Sequence, residues 1–138
     1  MDTTDFKPTC QVVAAGAHFT GKHSLAHVSG ISAESTGAQG IHLQIVTIPA
    51  GGRAKAHRHE AHETAIYVLS GESGMWYGHR LEQHLMVRAG EFLYIPAETP
   101  HLPYNSSAME DCVAAIARTD PNEQESVVLV PELDSIHP

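Results

Sequence analysis

The stretch "AHRHEAHETAIYVLSG", Ala56 to Gly71, sets His57, His59 and His62 with Glu60 and Glu63 inside seven residues and then turns apolar. Its second half, with Ile66, Tyr67, Val68 and Leu69 closed by Gly71, has the β-branched and aromatic content of a strand. His57 and His59 are two residues apart, so on extended backbone their side chains share a face. Two imidazoles on one face are neutral nitrogen donors for one divalent metal. A pair alone also suits two ordinary histidines at a strand end, because a metal site needs three or four groups.

The pattern around this stretch predicts an all-β chain. "IHLQIVTIPAG" alternates Ile41, Leu43 and Ile45 against His42, Gln44, Val46 and Ile48, and Pro49 and Gly51-Gly52 end it. "GMWYG", "HLMVRAG", "EFLYIPAETP", "CVAAIART" and "ESVVLVP" follow as short runs punctuated by Gly and Pro. Nothing long has a clean 3.6-residue period, so a sandwich or barrel is expected. Alanines in "CVAAIAR" also allow a helix, but Asp120-Pro121 cut it short and Val113 and Ile116 fit a buried strand. Residues 1–39 have weak periodicity and read as an arm with one or two strands, "CQVVAA" and "SLAHVS", packing on the barrel or on a partner subunit. Residues 40–138 read as one domain.

Composition narrows the function. The chain has 138 residues, enough for one domain with a real core. A net charge of −8 argues against nucleic acid as partner, since a phosphate-binding face needs clustered Lys and Arg. No apolar run approaches the ~20 residues of a membrane span. The polar, acidic start "MDTTDFKPTCQ" lacks a secretory core, and two distant cysteines, Cys10 and Cys112, indicate no disulfide framework. A reducing cytoplasm is the expected setting.

Two spacings carry a resemblance. Gly51-x5-His57-x-His59-x3-Glu63 followed by "YVLSG" resembles the first cupin motif. Gly90-x5-Pro96-x-Glu98-x2-His101-x3-Asn105, in "GEFLYIPAETPHLPYN", resembles the second, and eighteen residues separate Gly71 from Gly90. The resemblance implies a jelly-roll β-barrel. It also implies one divalent transition metal (Fe, Mn, Ni, Co or Zn) on His57, His59, Glu63 and His101. Three imidazoles and a carboxylate leave open positions for substrate or O₂.

Two departures stand out. The second motif usually has Gly where this chain has Glu98, which suggests a different turn before His101. Counted forward from His59, the carboxylate is Glu63; counted back from Gly71, its place falls on Thr64. Strand parity agrees with the second count: if Ile66 and Val68 face inward, Thr64 and His62 do too, and Glu63 faces out. A β-bulge near Thr64 or Ala65 would turn Glu63 back in. Glu63, His62 or a three-histidine site without either all remain open.

The pocket is expected to be apolar with a few polar groups. Tyr94 and Tyr104 are candidates to hydrogen-bond a ligand, while Arg53, Arg58 and Arg88 read more simply as solvated surface residues. His18, His23 and His27 of the arm read as exposed or packing residues. The resemblance, with three histidines and a weak or absent carboxylate, implies a metal-dependent enzyme, dioxygenase-like as the first expectation, and an apolar pocket suits a small diketone, phenol or organic acid as its substrate. The alternatives are an isomerase or decarboxylase, or a non-catalytic ligand-binding or sensor module. A homodimer is expected, and no catalytic residue is assigned.

Overall fold

The computed structural model describes residues 9–16, 18–20, 25–122 and 126–138. The strands are β1 (His18–Thr20), β2 (Ala26–Ile31), β3 (His42–Ile48), β4 (His57–His59), β5 (Thr64–Ser70), β6 (Glu72–Tyr77), β7 (Gln83–Arg88), β8 (Phe92–Ile95), β9 (His101–Asn105), β10 (Cys112–Arg118) and β11 (Val127–Leu129). They form two antiparallel sheets, in the orders β1-β2-β3-β10-β5-β8 and β11-β4-β9-β6-β7. This is the all-β jelly-roll barrel that the resemblance implies. "CVAAIAR" is a strand along its whole length, held between β3 and β5.

Alternation decides which face of each strand is buried. On β3, His42, Gln44, Val46 and Ile48 point inward and are buried, while Leu43 is 46% exposed. Val46, Ile48, Val68, Val87, Cys112 and Ala114 then form the core between the sheets, with Ile66, Leu93 and Ile116 against it. Burying a side chain of this size contributes ~1.5–3 kcal/mol. A second cluster, Ala56, Leu81, Leu102 and Leu133, lies on the outer face of the five-stranded sheet under the C-terminal segment. That segment is fastened there: Val130 N donates to Ala56 O, Ala56 N donates to Asp134 Oδ1, and His137 stacks on Trp76 at 3.5 Å. No periodic pattern in the sequence announced it.

The expected strand "CQVVAA" does not form. The segment is attached instead by Gly16 N to Ser29 O and by Gln11 Nε2 to Thr36 O. "SLAHVS" contributes Ala26–Ser29 to β2, with Ser24 outside the described residues. His27 is buried, whereas His23 and the His18 side chain lie outside the described residues. Gly71, which closes the opening stretch, has φ +78°, and a Cβ there would stand 2.5 Å from Asp111 O. Turn and close approach together exclude a side chain.

Among the described residues, no helix is long and apolar enough to cross a membrane.

Candidate metal centre

β4 presents His57 and His59 on its inner face, with the half-buried Arg58 between them pointing out. β9 pairs with β4 so that His101 lies directly opposite His57. The two spacings read in the sequence thus become cross-strand neighbours. One nitrogen from each of the three rings lies within 4.8 Å of the other two, and all three residues are buried. The ring centroids are 4.3 Å apart for His57 and His101, and 5.1 Å apart for each pair that includes His59.

Two of the rings are oriented by the backbone. Lys55 O accepts from His57 Nδ1 at 2.6 Å, and Thr99 O accepts from His101 Nδ1 at 2.8 Å. A carbonyl only accepts, so Nδ1 carries the proton and Nε2 keeps the lone pair. This is how outer partners fix the tautomer of metal-binding imidazoles. The donor set therefore fits a divalent metal such as Fe, Mn, Ni, Co or Zn: neutral nitrogens, three in number, preoriented and within reach of one ion.

Glu63 stands apart from this group. It is exposed, and its Oε1 accepts from the Tyr94 hydroxyl at 2.6 Å. That bond, with some burial and the Glu63 charge, pushes the Tyr94 phenol above its usual range. β5 starts at Thr64 and pairs regularly there, with Ile95 on one side and Arg118 on the other. No bulge turns Glu63 inward. Thr64 takes the inward place instead and lines the cavity, as the count back from Gly71 indicated. His62 is turned toward Asp120, 3.8 Å away. Burial alone would raise the Asp120 carboxyl, but it is outweighed by the N–H groups of Ser126 and Asn122, the His62 charge and the Asn122 amide, which together hold it below its usual range.

The cavity beside the imidazoles has a volume of about 70 Å³. Its polar lining is Gln44, Thr64, Ser73 and the three histidines, and the rest is apolar, Pro103 and Cys112 included. Burial, and then the charge of Glu72, push the Cys112 thiol up, so it lines the wall as a neutral group.

Neither candidate tyrosine reaches this space. Tyr94 lies on the outer face of β8, opposite Leu93 and Ile95, and is 60% exposed. Tyr104 alternates with Pro103 and Asn105 on β9, so it faces outward, where its hydroxyl meets His84 Nε2 at 2.7 Å. The arginines are outside too. Arg53 donates to the carbonyls of Asp134 and His137, Arg58 pairs with Glu98, and Arg88 with Glu72.

Glu98 corrects the expectation of a different turn. Its φ is +66°, the left-handed backbone that Gly would provide. For a residue with a Cβ this costs ~1–2 kcal/mol. Compensation comes from its own side chain and amide: Oε1 accepts from Ala61 N at 2.9 Å, Arg58 pairs with the carboxylate, and Glu98 N donates to His59 O at 2.9 Å. The turn before His101 is thereby tied to the loop after His59. Glu98→Ala keeps the backbone cost and loses the carboxylate contacts, so it is expected to destabilise by ~1–2 kcal/mol. Glu98→Gly relieves the backbone and should cost less than Glu98→Ala. Urea denaturation of both variants checks the order.

Comparison with known proteins agrees with this geometry. The family model described as "Cupin domain" matches residues 44–115, more than half of the chain. Over 53 residues the chain is 38% identical to quercetin 2,3-dioxygenase of Bacillus subtilis (strain 168), covering 38% of this chain but 15% of that protein. Among solved structures it is similar to oxalate decarboxylase of Bacillus subtilis, in a structure concerned with its Mn(II) centres. There the TM-score is 0.67 at 19% identity, over 81% of this chain and 30% of the other. It is also similar to a conserved protein with a double-stranded β-helix domain from Klebsiella pneumoniae subsp. pneumoniae. That match has a TM-score of 0.60 at 15% identity, over 75% and 84% of the two chains. The chain thus spans well under two thirds of the dioxygenase and the decarboxylase.

Proposed function

The chain belongs to the cupin family, and on that premise we propose that it is a metal-dependent enzyme acting on a small organic substrate, with dioxygenase-like chemistry as the leading reading. The observation that carries this is the trio of His57, His59 and His101, buried at one apolar cavity with two Nδ1 atoms held by carbonyls. These three residues would hold the ion. A bound divalent metal supplies Lewis acidity and, when redox-active, a place for O₂. The protein does the rest: Val46, Val68 and Ile66 exclude water, the carbonyls of Lys55 and Thr99 fix the imidazoles, and Gln44 and Thr64 offer hydrogen bonds to a ligand. The dioxygenase relative supports the reaction class, and the structure with Mn(II) centres supports manganese as one of the metals to try.

O₂ uptake by Fe(II)-, Mn(II)- and Ni(II)-loaded protein, measured against a panel of diketones, phenols and small organic acids, tests the reading. Uptake in the wild type and its loss in His59→Ala are expected. Turnover of an organic acid without O₂ uptake would favour a decarboxylase or isomerase. One observation favours the binding or sensor reading: among the described residues no carboxylate lines the cavity to move a proton. Saturable binding without turnover of any ligand in the panel would establish it.

The homodimer belongs to the same proposal. Val28, Ile45, Ala115, Tyr67 and Phe92 form one row across the outer face of the six-stranded sheet. Phe92 is 79% exposed there, which supports a second copy as its cover. β2 pairs on β3, which supports reading residues 1–39 as an arm packed on the barrel of residues 40–138. Light scattering should give twice 14.9 kDa. Free thiols at Cys10 and Cys112 support a cytoplasmic setting.

A further inference from the structure

Charge balance at the cavity leads beyond the metal itself. Three imidazoles are neutral donors, and among the described residues no Asp, Glu, Lys or Arg lines the cavity. Glu63, the carboxylate that would have offset the metal, is on the outer face with Tyr94. A divalent ion held there keeps both positive charges among apolar groups, and uncompensated buried charge is costly.

Thr64 adds a second observation. It is 5% exposed, it lines the same cavity, and its Oγ1 is buried without a hydrogen-bond partner. Its inward neighbours on β5 are Ile66 and Val68. Valine has nearly the same shape as threonine and would fill this place with no hydroxyl to satisfy, so the hydroxyl is a cost unless something in the cavity uses it. Gln44 lines the cavity too. Its Oε1 is taken by His42 Nε2 at 3.0 Å, which leaves the amide nitrogen as the donor on that side chain.

We propose that the cavity is a subsite for a small oxyanion, a carboxylate or enolate, bound beside the three imidazoles. Its charge offsets the metal, and its oxygens accept from the Thr64 hydroxyl and the Gln44 amide. This rests on the three-imidazole metal reading above and narrows its substrate class to the anionic form of a small organic acid or diketone. Size agrees: one water needs on the order of 10–15 Å³ of such space, so about 70 Å³ accommodates a molecule of a few heavy atoms.

The test uses the full chain loaded with Co(II), titrated with acetate and with acetamide, which has the same shape and no charge. Visible absorption of the cobalt and calorimetry are the readouts. Acetate should bind at least about tenfold more tightly than acetamide, and Thr64→Val should weaken acetate by about tenfold. Thr64→Ser, which keeps the hydroxyl, should restore it, and Co(II) stoichiometry should be unchanged in both variants. Equal affinity for acetate and acetamide would overturn the subsite even if the Thr64 variants failed to fold. So would equal acetate affinity in the wild type and Thr64→Val. Wild-type protein that binds no Co(II) would remove the metal reading and the subsite together, whereas Co(II) bound without acetate binding would remove the subsite alone.

Discussion

His57→Ala and His101→Ala each lose metal affinity by more than a hundredfold. Removing only an outer partner of a metal-binding imidazole typically costs ~10–100-fold, and these variants remove the donor itself. They are cross-strand partners, so either deletion leaves two nitrogens where three lay within 4.8 Å. Thermal unfolding with and without added Ni(II) or Co(II) gives an independent readout. Metal at ~100 times its dissociation constant stabilises a folded site by ~2.7 kcal/mol. For a chain of 138 residues that is a rise of roughly 6–12 °C. The wild type should show it and neither variant should. Glu63→Gln should keep the full rise, because its partner is Tyr94 on the outer face.

The largest effect on stability is expected at the residue next to His101, on the other side of the sheet. Leu102 is 1% exposed and packs with Ala56, Leu81 and Leu133 under the C-terminal segment. Leu102→Ala removes buried methyl groups and leaves a cavity that β6 and the segment fill only in part. Such substitutions cost ~2–5 kcal/mol, and Leu102, fully enclosed, should fall near 3. Leu69→Ala, at a side chain 50% exposed, should cost well under half as much. The decisive comparison is with metal binding. Leu102 points away from the cavity that His101 lines, so Leu102→Ala should keep metal affinity while losing stability. Equal loss of metal in Leu102→Ala and His101→Ala would contradict the alternation on β9.

Alternation is also what made the fold legible in the sequence. Period-two runs ended by Gly and Pro locate most of the strands, and the spacings around His57, His59 and His101 point to the three imidazoles that β4 and β9 bring to one place. Thr64 and Glu63 show where two signals disagreed. The motif count favoured Glu63, while strand parity favoured Thr64; parity prevailed because the ladder to Ile95 and Arg118 is regular. Tyr104 was legible by the same rule, since the alternation that puts Pro103 with His101 puts Tyr104 opposite. Aromatic content was a poorer guide than parity. Tyr94 needed one fact more, namely which face of β8 is inward, and Leu93 and Ile95 settle that only through their contacts.

Other features had no local signal. The stacking of His137 on Trp76 joins positions far apart in sequence. Glu98 accepts the left-handed backbone of a glycine because Ala61 N and Arg58 hold its carboxylate, and those partners arrive only with the fold.

Elemental analysis of protein purified without a His-tag or added metal, followed by stripping and reloading with Mn(II), Fe(II), Ni(II), Co(II) or Zn(II), tests the central claim most directly. The three-imidazole centre predicts close to one equivalent of a divalent metal per chain, restored on reloading and absent from His57→Ala. Protein that is metal-free as purified and takes up none of these ions would contradict it.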